Sequence, residues 1–274
     1  MNPTFSLHQG NLPLLISIPH LGTELPEEIR ARMSPEAAVV SDTDWHLDRL
    51  YGFAPTMGAS VLGARLSRYA IDLNRPPSGE SLYPGMTTTG LCPLETFRGV
   101  PLYGDGYVPD EPEIARRRTH YWQPYHDALQ AELRRLHAVH GQVLLWEAHS
   151  IAGVLPRLFE GQLPDLNFGT NSGAACATDI VEAVLEPVRD AGAATASATS
   201  FSHVLNGRFK GGYITRQYGQ PANGIHAIQL EMRQALYMNE TPPFDYRPDL
   251  AARVQPLLEH MLTAGIAQVR KARR

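Results

Sequence analysis

Apolar positions in this chain fall into short blocks that each run straight into a polar residue of catalytic type. Leu14-Leu15-Ile16-Ser17-Ile18 leads through Pro19 to His20. Val143-Leu144-Leu145-Trp146 leads to Glu147-Ala148-His149-Ser150, and His226-Ala227-Ile228-Gln229-Leu230 leads to Glu231. Short apolar runs bounded by turn signals read as buried strands. Gly58–Leu62 and Tyr69–Leu73 read as two further strands. Helical spacing is expected over Leu25–Met33, opened by Pro26, and over Trp45–Phe53, where Asp42 and Asp44 suit the positive N-terminal end. The longest amphipathic helix spans Glu111 to His140, with Ile114, Tyr121, Tyr125, Leu129, Leu133 and Leu136 on its apolar face and Gly141 as its C-terminal cap. Further helices are expected at Ala174–Val188, Tyr213–Tyr218 and Pro248–Ala267. Strands alternating with helices predict an α/β fold with one central, mostly parallel sheet flanked by helices. No linker divides residues 1–274, so the expectation is a single catalytic domain.

Two irregular stretches interrupt this pattern. Asn74 to Pro109 carries Pro76, Pro77, Pro84, Pro93 and Pro101 and five glycines through Gly104, and Ala152 to Ser172 is rich in Gly, Pro and Asn. A loop as long as the first is usually functional, and here it is expected to act as a lid.

Composition narrows the classes of function. With 274 residues the chain is long enough to bury a large core. Its net charge is −4 and it has no long basic run, which predicts no nucleic-acid partner. Cys92 and Cys176 are the only cysteines and form neither a disulfide framework nor a zinc knuckle. Met1 to Gly10 has no basic segment followed by an apolar one, and no apolar stretch is long enough for a bilayer. The expectation is a cytoplasmic protein with no membrane contact and a small-molecule substrate.

In open α/β sheets, sites form beyond the carboxyl ends of the strands. Two histidines and a carboxylate at one such edge predict a metal-dependent hydrolase. Neutral imidazole and carboxylate are ordinary zinc ligands, and a catalytic site uses three protein ligands. His20 and His149 are the first two. Asp44, opening the Trp45 helix, is preferred as the third, with Asp42 left to cap that helix. Glu24 is the alternative ligand, and a plain N-cap is the alternative role for Asp44. Glu147, two residues before His149 and on the same strand face, would orient that imidazole through its other ring nitrogen. Ser150 lacks the G-x-S-x-G surround of a serine nucleophile. His46 is the one rival ligand. His203 and His226 flank segments able to reach the site, and His120, His126, His137 and His140 read as surface or packing residues of the long helix.

Hydrolysis needs a proton acceptor for water and a proton donor for the leaving amine, and one carboxylate can do both. Glu231 is the candidate. Asn74-Arg75 closes one apolar run, and arginine's planar fork binds a carboxylate with two parallel hydrogen bonds. Arg208, Lys210 and Arg216 cluster around Gly211-Gly212-Tyr213-Ile214-Thr215, where glycine allows close backbone approach. Two cation sets near one metal suit a small dianionic substrate.

These segments, taken in order with Asp42-Thr43-Asp44-Trp45-His46, Ile71-Asp72-Leu73-Asn74-Arg75-Pro76 and Asn206-Gly207-Arg208-Phe209-Lys210-Gly211-Gly212-Tyr213-Ile214-Thr215-Arg216, resemble the N-formylglutamate amidohydrolases over nearly the whole chain. A more distant similarity is to zinc carboxypeptidases and aspartoacylases, which implies a three-layer fold of that kind. Asn74-Arg75 and Glu231 match those enzymes' anchor and catalytic glutamate by position. The carboxypeptidase pattern has a glutamate three residues after the first histidine; here that position is Thr23, so Asp44 rests on helix placement alone. The resemblance implies hydrolysis of N-formyl-L-glutamate to formate and L-glutamate in histidine degradation. On this reading His20, Asp44 and His149 hold one divalent metal ion, zinc by preference. Glu231 moves the proton, and Arg75, Arg208 and Arg216, helped by Asn74, Tyr213 and Thr215, hold the two carboxylates. A zinc carboxypeptidase, another N-acyl-amino-acid hydrolase, and a metal-free binding protein are the alternatives.

Overall fold

The computed structural model describes residues 3–82, 85–104, 106–193 and 200–271, apart from the side chains of 192 and 193. Its centre is a seven-stranded sheet in the order β1-β3-β2-β4-β7-β5-β6. The strands are β1 (Phe5–His8), β2 (Leu14–Ile18), β3 (Ser60–Ala64), β4 (Val143–Ile151), β5 (Leu166–Gly169), β6 (His203–Leu205) and β7 (Ile225–Arg233). The helices are α1 (Glu27–Arg30), α2 (Leu47–Leu50), α3 (Ala54–Met57), α4 (Glu111–Arg117), α5 (Gln123–His140), α6 (Thr178–Ala193), α7 (Tyr213–Tyr218) and α8 (Pro248–Lys271). Pairings β2–β3, β2–β4, β4–β7 and β5–β6 are parallel. Pairings β1–β3 and β5–β7 are antiparallel, so the sheet is mixed. No helix among the described residues is long and apolar enough to cross a membrane.

The three central strands are buried on both faces, which is why much of each reads as a nearly continuous apolar run rather than an alternating one. Alternation nevertheless sorts their side chains into two layers. Leu14, Ile16, Leu144, Trp146, Ile228 and Leu230 pack with Ile180 and Val184 of α6 and Val254, Leu258 and Met261 of α8. Leu15, Val143, Leu145 and Ala227 face the other way, against Tyr125, Leu129, Leu133 and Leu136 of α5. Truncating one such buried leucine to alanine costs about 2–5 kcal/mol.

Several expected elements differ. Tyr69–Leu73 is buried but forms no strand. A turn closes from Ser67 to Ala70, and the Asp72 carboxylate accepts the Asn74 N–H at 2.8 Å, bending the backbone out of any ladder. The helices expected at Leu25–Met33 and Trp45–Phe53 shrink to single turns. β1, β5 and β6 carried too few residues to stand out; β5 lies inside the stretch read as the second loop. The first long loop has no helix or strand among its described residues, and Pro84 lies outside them.

Candidate metal centre

The strand register builds the site. β4 runs on to Ile151, so Glu147 and His149 continue the face begun by Val143 and Leu145. On β7, Gln229 and Glu231 continue the face of Ala227, and Glu231 is paired in register with His149. The apolar half of this face lies under α5, and the polar half extends past it into a cleft. His20 follows β2 by two residues. Its carbonyl accepts the Asp44 N–H at 3.0 Å, tying the two ligand-bearing segments together.

Ligand atoms of His20, Asp44 and His149 all lie within 4.8 Å of one another, and all three residues are buried. Asp44 Oδ2 is 2.9 Å from His149 Nδ1 and 3.7 Å from His20 Nδ1. The opposite nitrogen of each ring meets a second carboxylate. His20 Nε2 is 2.7 Å from Asp72 Oδ1, and His149 Nε2 is 2.6 Å from Glu147 Oε1. Each Nε2 thus faces a second carboxylate while each Nδ1 faces Asp44, the anchoring that a metal-ligating imidazole uses once its Nδ1 proton is lost. The Glu147 carboxylate is itself held, since Oε2 accepts the Thr215 N–H at 3.0 Å and the Thr215 hydroxyl.

Asp44, Asp72, Glu147 and Glu231 are buried together, with Arg68 beside them. Buried charge is stable only when paired or bound to metal. For Asp44, burial opposes ionisation, but hydrogen bonds from His149 and His20 outweigh it and draw the carboxyl down to about 2. For His149, burial opposes the charge, but Glu147 and Asp44 raise it well above the ordinary histidine value. Burial pushes Glu231 up to about 8. The donor set, two imidazoles anchored through Nε2 and one carboxylate, fits a divalent cation such as zinc, which would displace the proton that Asp44 and Glu147 hold on His149.

The cleft around these residues has about 70 Å³ of water-accessible space and is lined by Asn74, Arg75, Arg208 and Glu231 as well as the ligand set. Thr87, Thr88, Thr89 and Phe97 of the first long loop form part of its wall. Arg75 holds that wall through Nε to Thr89 O at 2.8 Å, and Phe97 N donates to Asp42 Oδ2 at 2.7 Å. Asn74 Nδ2 is 3.0 Å from His149 Nε2, and its Oδ1 accepts the Ile214 N–H at 2.9 Å. Gly212 passes so close that a Cβ there would sit 2.3 Å from Asn74 Nδ2, which gives this glycine its reason.

Other expected residues lie elsewhere. Thr215 stands behind Glu147 rather than in the cleft. Tyr213 packs on Trp122 and His126, and Arg216 reaches Gly211 O and Leu82 O. None of the three is among the residues lining the cleft, which α7 reaches through its N-cap, Gly212. Asp42 does not cap α2, whose N-cap is His46 in a left-handed conformation. Glu24 is exposed and outside the ligand cluster. His46 instead bonds Phe244 O at 2.7 Å, and His226 bonds Gln142 Oε1 at 2.7 Å. Two participants escaped sequence reasoning. Asp72 orients His20, and Arg68 joins Asp72 at 2.6 Å while its Nη1 sits 3.2 Å from His20 Nδ1. The signal for Asp72 was its place in the Ile71–Arg75 segment, where an acid lies amid buried apolar residues.

A protein-family model for N-formylglutamate amidohydrolase matches residues 12–238. The chain is 50% identical over 267 residues to N-formylglutamate deformylase of Pseudomonas putida, covering 97% of each. It is 49% identical over 269 residues to N-formylglutamate deformylase of Pseudomonas aeruginosa, covering 97% of this chain and 98% of the relative. The crystal structure of N-formylglutamate amidohydrolase from Ralstonia eutropha JMP134 matches with a TM-score of 0.79 at 25% identity, over 98% of this chain and 99% of the other. A gene product of Agrobacterium tumefaciens shares the fold, with a TM-score of 0.68 at 17% identity. The chain belongs to the N-formylglutamate amidohydrolase family and is a hydrolase of a linear amide C–N bond.

Proposed function

We propose that this family member hydrolyses N-formyl-L-glutamate to formate and L-glutamate in histidine degradation, using one divalent cation, zinc by preference. The observation that carries the reading is the convergence of His20, Asp44 and His149 in a cleft that Glu231, Arg75 and Arg208 also line. A cation there would polarise the formyl carbonyl and make water a better nucleophile.

The side chains divide the remaining work. Glu231, beside His149 in the register, takes the proton of the attacking water and delivers it to the departing glutamate nitrogen. Burial raises its proton affinity, which suits the return step. With His149 among the residues that would hold the cation, its Nε2–H would stay with Glu147, leaving the Asn74 amide hydrogens available to the substrate. Arg75 and Arg208 pair with the substrate carboxylates, each guanidinium aimed by a backbone carbonyl: Thr89 O at 2.8 Å for Arg75 and Leu158 O at 2.9 Å for Arg208. Arg68 is placed to neutralise charge on the carbonyl oxygen as water adds. The small cleft favours a small acyl group.

The test is formate or acetate release from a panel of N-formyl and N-acetyl acidic amino acids, with and without a chelator. Chelator-sensitive formate release with N-formyl-L-glutamate preferred is the expected result. Preference for N-acetyl or peptide substrates would move the assignment to another N-acyl-amino-acid hydrolase or a carboxypeptidase. A metal-free protein that binds glutamate without turnover would make it a binding protein.

A further inference from the structure

We propose that His126 is a positioning residue for the site, setting Asn74 and Arg75 through the backbone on either side of Asn74; this rests on the function proposed above. His126 lies outside the cleft, buried on α5. Its Nε2 is 2.9 Å from Leu73 O, and the ring of Trp122 stacks on it with centroids 3.6 Å apart. Trp122 Nε1 in turn donates to Arg75 O at 3.1 Å. The carbonyls of Leu73 and Arg75, the residues on either side of Asn74, are thus both held by one stacked pair, His126 on α5 and Trp122 in the turn that leads into it.

Two features mark this as placement rather than filling. Trp122 closes a π-helical turn, Arg118–Trp122, inserted between α4 and α5. Such turns are rare and are found frequently at functional sites. Both nitrogens of His126 are also assigned. Leu73 O only accepts, so Nε2 carries the hydrogen, and Nδ1 accepts the Tyr218 hydroxyl at 2.9 Å. Tyr213 meets the same ring edge-on. Tyr213 and Tyr218 belong to α7, which also supplies Ile214 N to Asn74 and Thr215 to Glu147. The imidazole therefore joins α5, the Leu73–Arg75 segment and α7 at one point, and an apolar ring would fill the space without fixing the carbonyl.

The test compares three variants of the full chain in zinc-loaded form. Glutamine places its amide nitrogen near the imidazole Nε2 position, whereas asparagine reaches only as far as Nδ1. His126→Phe and His126→Asn are expected to lower kcat/KM for N-formyl-L-glutamate by about 10-fold or more, mostly through KM, because displacement of positioning groups weakens substrate placement. His126→Gln is expected to recover activity to within about 3-fold of wild type on the same grounds. Zinc content should stay unchanged in all three. The inference fails if the phenylalanine variant retains wild-type KM, or if glutamine and asparagine variants are equally impaired in folded, zinc-loaded protein. Wild-type protein that releases no formate would overturn the proposed function and this role with it; an active wild type with no glutamine–asparagine contrast would overturn this role alone.

Discussion

Glu147 and His149 sit two residues apart on β4, point from the same face, and meet through Oε1 and Nε2 at 2.6 Å. Strand geometry alone brings the carboxylate to the imidazole, and Thr215 fixes its other oxygen. Glu147→Gln keeps the shape but weakens the acceptor that holds the His149 proton. Zinc affinity measured by competition with a chelating dye should fall about 10–100-fold. An unchanged affinity would show that Glu147 does not orient the ring.

Glu231→Gln separates chemistry from metal binding. Glu231 is outside the His20–Asp44–His149 cluster but lines the same cleft. Zinc stoichiometry should match wild type while kcat for formate release drops by about 10²–10⁴-fold. Full turnover in this variant would remove Glu231 from the mechanism.

Arg75 and Arg208 should act on binding more than on bond cleavage. Replacing either with alanine removes a guanidinium from the cleft wall. KM is expected to rise by about 10-fold or more, with a smaller change in kcat, the pattern for an interaction made equally in ground and transition states. A KM equal to wild type in Arg75→Ala would reject it as an anchor.

His126 gives the protein an acid-sensitive joint. Burial lowers its imidazole to about 4, against 6.5 when exposed. Above pH 6.5 both folded and unfolded chains hold it neutral, and nothing is lost. As pH falls from 6.5 toward 4, the unfolded chain takes up the proton and the folded chain does not, so stability declines. The loss is about 2 kcal/mol by pH 5 and about 3 kcal/mol by pH 4. Urea unfolding at pH 7 and pH 5 should show a larger drop for wild type than for His126→Phe; equal drops would mean that the imidazole does not titrate in this way.

The sequence by itself determined the central strands and the residues they deliver. Leu14–Ile18, Val143–Trp146 and His226–Leu230 are buried on both faces, so they are mostly apolar, and the polar residue of catalytic type that follows each run marks the sheet edge. Alternation then placed Glu147 with His149, since side-chain direction along a strand is local. The edge strands escaped because β1, β5 and β6 are three or four residues long and take their stability from neighbours. Tyr69–Leu73 looked like a strand because burial, not pairing, selects its apolar residues. Only the tertiary structure decided the rest. Asp44 meets His149 across 105 residues of chain, Asp72 meets His20 across 52, and Thr215 meets Glu147 across 68. Contacts between such distant residues depend on how loops and short helices pack at the sheet edge, and no local periodicity encodes them. Arg68 and His126 look ordinary along the chain for the same reason: what each does is set by the partner that folding brings to it.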